Sequence, residues 1–101
     1  MYQALEQENV DVISAFSTDG RIAALDLVVL DDNQGAIPPY DAIILANARL
    51  ERESPQVIDA LKKLVDNIDG DTMRRMNLAV DGPGESPSTV AKRFLEKFWS
   101  K

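Results

Sequence analysis

At 101 residues the chain is one domain at most, and 45% hydrophobic with 28% charged residues is the composition of a folded globular protein. Its net charge of −6, from 17 acidic and 11 basic residues, speaks against nucleic acid, because phosphate binding needs clustered Lys and Arg. It has no cysteine and no histidine, so disulfides, thiolate chemistry and the commonest general base and metal ligand are excluded.

Tyr2 to Gln7 reads as the end of a helix. Met1 to Glu6 shows neither the basic nor the apolar region of a signal peptide, and the longest apolar runs are far shorter than a bilayer span. Val10, Val12 and Ile13 predict a short strand, Thr18-Asp19-Gly20 a turn, and Arg21 to Leu25 a single helical turn. Leu27 to Leu30 is a continuous branched run that suits a strand buried on both faces. Asp31 to Gly35 is a polar loop, Pro38-Pro39 forbids helix and stiffens the approach to Tyr40, and Ala42 to Ala46 is a further buried strand.

Helices follow. A short one covers Ala48 to Glu53. Ser54-Pro55 signals an N-cap with proline at the first helical position, and Val57, Ile58, Leu61, Leu64, Val65 and Ile68 continue at helical spacing. Asp69 is placed to cap a helix carrying Met73, Met76, Leu78 and Val80, which Gly82-Pro83-Gly84 breaks. Ser86-Pro87 repeats the cap signal, and Val90, Phe94, Leu95 and Phe98 form the inward stripe of the last helix.

Two aromatic residues stand in loops at the ends of apolar runs, at positions 16 and 40. The order Phe16-Ser17-Thr18-Asp19-Gly20-Arg21-Ile22, then a run ending in Asp31-Asp32, then Pro38-Pro39-Tyr40-Asp41 resembles the substrate-binding proteins of ABC importers for glycine betaine, choline and related quaternary amines. In that family the pattern reads roughly Tyr-Ser-Thr-Asp-Gly-Arg-Ile, an acidic-ended strand, then Pro-Pro-Tyr-Asp. The resemblance spans nearly the whole chain. It is densest from Val10 to Asp41, while in the helices only Met73 and Asn77 echo a family pattern.

The resemblance implies an α/β fold, a fragment of a type II periplasmic binding protein with short β-strands followed by three C-terminal helices. Residues 1–35 are then the end of the second lobe and the return toward the hinge, and 36–101 the C-terminal part of the first lobe. It also implies a ligand site of Phe16, Tyr40, Ser17, Thr18 and Asp19, of which Tyr40 matches a cage tyrosine directly. Phe16 stands where the family usually has tyrosine, keeping the π face and losing the hydroxyl. A trimethylammonium group has no N–H to donate, so aromatic faces hold it through electrostatic attraction and apolar contact, about 0.5–2 kcal/mol per ring. The family's other cage aromatics, and the basic residue that grips a ligand carboxylate, lie upstream of the matching region. The implied partners are a quaternary ammonium compound (glycine betaine, choline, carnitine, proline betaine or ergothioneine) and an ABC permease at the periplasmic or extracellular face of the membrane. The chain alone is expected to bind such compounds very weakly or not at all, and to self-associate as a homodimer or swapped assembly. No cofactor and no metal is expected.

Plainer readings stand beside these. Phe16 is a core residue and Tyr40 packs its turn; Asp19 caps the helical turn near Gly20, and Ser17 and Thr18 satisfy turn hydrogen bonds. Arg21 pairs with Asp19 or Asp26, Met73 and Met76 are core, and Trp99 packs the last helix down. Asp31-Asp32-Asn33 lacks the remaining spacing of a calcium loop, and Gly82-Pro83-Gly84 is no phosphate loop. With no nucleophile–base pair or metal cluster, an enzyme is not expected; the alternative to a ligand-binding protein is a self-associating module that binds no small molecule.

Overall fold

A computed structural model describes residues 1–100. Six helices follow in order: α1 (Tyr2–Glu6), α2 (Gly20–Ala24), α3 (Ala48–Glu53), α4 (Pro55–Lys62), α5 (Gly70–Asp81) and α6 (Pro87–Trp99). They fall into two compact units. One holds Met1–Val29 together with the chain from Gly70 onward, the other Leu30–Asp69.

In the first unit α2 packs on α5, and α5 against α6. Tyr2, Ile22 and Val90 are its buried apolar residues. The two short helices end alike: Glu8 and Asp26 take left-handed backbone angles (φ 56° and 50°), and the amides of Asn9 and Leu27 reach back to the carbonyls of Ala4 and Ile22, both at 2.9 Å. These bonds satisfy carbonyls that a helix end leaves without partners. The last helix starts as its sequence predicts: Ser86 Oγ accepts from the Thr89 amide at 3.2 Å, and Pro87 fills the first helical position. Phe94 and Phe98 stack with centroids 5.8 Å apart, and Phe98 meets Trp99 edge-on at 4.9 Å.

In the second unit α3 packs on α4. The polar loop ahead of it is organised by Asp32, whose carboxylate accepts from the amides of Ala36 (3.0 Å) and Ile37 (2.7 Å). Those bonds, Ile37's foremost, lower the Asp32 pKa. Gly35 carries the positive φ of 63° that the turn requires.

Three expectations are corrected. The described residues contain no β-strand, so the runs at 10–13, 27–30 and 42–46 are extended or irregular. A strand exists only with a neighbour to exchange backbone hydrogen bonds, and these runs have none among the described residues. Nor are the last two buried: Val28, Val29 and Leu30 are 84%, 44% and 74% exposed, and Ile43, Ile44 and Leu45 are 73%, 50% and 86%. Second, α4 stops at Lys62 rather than running on to Ile68. The Asn67 side-chain amide donates to the carbonyls of Lys63 and Val65, both at 3.0 Å, and Asp66 turns left-handed (φ 59°), which breaks the ladder. Third, Ser54 makes no side-chain cap bond; its amide instead closes α3 on the Leu50 carbonyl at 2.9 Å. Among the described residues no helix is long and apolar enough to cross a membrane.

Candidate ligand site

Phe16, Ser17, Thr18 and Asp19 form a tight turn that leads into α2, closed by the Asp19 amide donating to the Phe16 carbonyl at 3.0 Å. The turn carries the Phe16 ring outward, 69% exposed. Ser17 is exposed and Thr18 half-buried.

Asp19 caps α2. Its Oδ1 accepts from the Arg21 amide at 2.9 Å and from Arg21 Nε at 3.1 Å, while Oδ2 accepts from Nη2 at 2.7 Å. Both carboxylate oxygens are thereby engaged within the turn. The Arg21 hydrogen bond is the main reason the Asp19 pKa falls to about 2. Arg21 also lies over the Tyr2 ring, its guanidinium carbon 4.0 Å from the centroid. Burial, and then the Asp19 carboxylate, raise the Tyr2 pKa, although the buried hydroxyl makes no hydrogen bond of ordinary geometry. Asp26, the other partner considered for Arg21, instead occupies the left-handed position after α2.

The turn is held by α5. Arg74 Nη1 donates to the Ser17 carbonyl at 2.5 Å, and Asn77 Nδ2 donates to the Thr18 carbonyl at 2.7 Å. The opposite arm of the Arg74 guanidinium pairs with Asp71. The grip needs a close crossing, and Gly20 permits it: a Cβ there would sit 2.6 Å from the Leu78 amide nitrogen and 2.8 Å from its Cα. In the sequence Asn77 stands out only as an echo of the family pattern, and Arg74 carries no motif. The available signal was their three-residue spacing, which sets both on one helix face.

Tyr40 belongs to the other compact unit. It follows Pro38-Pro39 in a segment without helix or strand and is 88% exposed. Ser17, Thr18 and Asp19 thus accompany Phe16 on one turn, and Tyr40 stands on its own segment. No cluster of acidic side chains suited to a metal ion occurs among the described residues.

Residues 1–97 match the family model of the substrate-binding domain of the ABC-type glycine betaine transport system. A carnitine transport binding protein of Listeria monocytogenes is 37% identical over 97 residues, covering 96% of this chain and 32% of the relative. A glycine betaine-binding protein of Escherichia coli K12 is 31% identical over 99 residues, 97% of this chain and 32% of the relative. A combined ergothioneine transport permease and binding protein of Helicobacter pylori is 35% identical over 96 residues, 95% of this chain and 17% of the relative. The crystal structure of a glycine betaine/carnitine/choline ABC transporter superposes with a TM-score of 0.90 at 44% identity, covering 95% of this chain and 35% of that one. The chain therefore spans about a third of the length of the carnitine- and glycine betaine-binding proteins it matches, and over 95% of its own length it shares the fold of the solved transporter structure. With nearly every residue inside the family match, this chain belongs to the substrate-binding domains of ABC-type glycine betaine transport systems.

Proposed function

We propose that the chain contributes two rings, Phe16 and Tyr40, to an aromatic cage that holds the trimethylammonium group of a quaternary amine such as glycine betaine, choline or carnitine. The observation that carries this reading is the Phe16 turn. It sets an exposed ring on a backbone fixed by α2 and α5, in a chain whose relatives are named for carnitine and glycine betaine. Ser17 and Thr18 border the ligand, and Asp19 acts through the cap it makes. Residues 1–35 supply the end of the second lobe and 36–101 the C-terminal part of the first, with the Asp31–Pro39 loop near the hinge. A complete receptor of this kind closes over its ligand and presents the closed form to an ABC permease at the periplasmic or extracellular face of the cell membrane. Ligand shifts that equilibrium only through better contacts in the closed state.

A second reading is favoured by the exposed apolar runs at 28–30 and 43–45: a partial, self-associating module that binds no small molecule. Titration with glycine betaine or choline, followed by tyrosine and Trp99 fluorescence, separates the two. A saturable change at millimolar or higher ligand, abolished by Tyr40→Ala, supports the ligand site; no change across that range supports the module.

A further inference from the structure

We infer that Arg74 and Asn77 are positioning residues that hold the Phe16 turn in its ligand-presenting shape, an inference that rests on the cage reading above. Each donates to a backbone carbonyl, Arg74 to Ser17 and Asn77 to Thr18, across 57 and 59 residues of sequence. Carbonyl bonds fix the path of a backbone regardless of the side chain it bears. They are therefore suited to setting where the Phe16 ring points.

The two donors are built for this. The Arg74 side chain is only 17% exposed, and its guanidinium bridges the Ser17 carbonyl and the Asp71 carboxylate, so the rigid fork is oriented from both ends. Asn77 is part-buried and offers its amide from the next turn of α5. The carbonyls of Ser17 and Thr18 precede α2, which starts only at Gly20, so the helix ladder does not hold them. Apart from the α5 donors, the turn has its internal Phe16–Asp19 bond and the Asp19 cap. The close Gly20–Leu78 approach brings the two elements within reach, and the donors then select one turn geometry.

The test is amide hydrogen exchange and ring resonances, read by NMR on the 101-residue chain, with Asn77→Ala, Asn77→Asp, Arg74→Met and Arg74→Lys. Losing either donor is expected to speed exchange of the Asp19 amide about tenfold, a change on the scale of one lost hydrogen bond. The amides within α6 remain protected, and Arg74→Lys retains part of the effect. Choline-induced shifts of the Phe16 ring then shrink in proportion. Unchanged exchange at residues 16–19 in the Met and Ala variants would overturn the inference, as would acceleration no larger there than in α6. If Asn77→Asp does not fold, Asn77→Leu, which keeps the bulk and removes the donor, is read in the same way. Exchange is measured without ligand, so a wild-type Phe16 ring that ignores choline sinks the cage reading alone, and the turn's dependence on α5 is still decided.

Discussion

A methyl group at Gly20 would collide with the backbone of α5, at 2.6 Å from the Leu78 nitrogen, and a helix backbone cannot yield as a side chain does. Gly20→Ala is therefore expected to destabilise the chain by about 1–3 kcal/mol, as overpacking does, and to lower the melting temperature by several degrees in a circular dichroism melt. It also loosens the Phe16 turn, which depends on that crossing. The pH dependence follows from Asp19 and Tyr2. The Asp19 pKa in the folded chain is lowered to about 2 from an ordinary 3.8, so its stabilisation is full above about pH 4 and is lost as pH falls toward 2. The Tyr2 pKa is raised above 10.0, so its contribution is full below that value and fades as pH climbs beyond it. Thermal melts across pH are expected to fall at both ends, and Asp19→Asn is expected to flatten the acid side. At this scale the sequence was informative about Asp19, since Asp before Gly-Arg-Ile is a cap wherever a helix begins. It was silent about the engagement of Tyr2 by Arg21, which joins residues 19 positions apart through a fold no local pattern encodes.

At the scale of elements, what is written locally was legible and what needs a partner was not. The bounds of the helix over Ala48–Glu53 and the start of the last helix at Ser86-Pro87 follow from caps and proline, which act within one turn. Ser86→Ala is expected to cost about 1 kcal/mol, visible as a lower melting temperature, because the Thr89 amide loses its acceptor. At Ser54 the same serine–proline signal marks the helix start, yet the hydroxyl makes no cap bond; Ser54→Ala is therefore expected to change the melt by less than Ser86→Ala. The apolar runs at 27–30 and 42–46 have the composition of buried strands, but composition cannot supply the neighbouring strand, and in this chain they stay extended and exposed. α4 ends at Lys62, short of its apolar spacing, for a local reason. Leu64, Val65 and Ile68 keep helical spacing while Asp66 and Asn67 divert the backbone.

For the whole molecule, the exposed runs and the span of the relatives point the same way. Val28, Leu30, Ile43 and Leu45 are each more than 70% exposed, in a chain about a third the length of the binding proteins it matches. Light scattering is expected to give a mass above that of one 11.2 kDa chain at high concentration, and Val28→Thr with Leu45→Thr to lower it. The family was legible from one stretch of sequence because its turn and proline residues are local; the residues that hold the Phe16 turn were not, because they lie far along the chain on α5. The central claim is that Phe16 and Tyr40 recognise a methylated cation by their faces. The most direct measurement compares choline with its uncharged carbon isostere, in which carbon replaces the quaternary nitrogen, while the ring resonances of Phe16 and Tyr40 are followed by NMR. Two rings supply only about 1–4 kcal/mol, so binding in the millimolar range or weaker is predicted. Both rings are expected to shift along one saturation curve with choline and far less with the isostere. Equal responses to the two compounds, or rings that ignore both, would contradict the account.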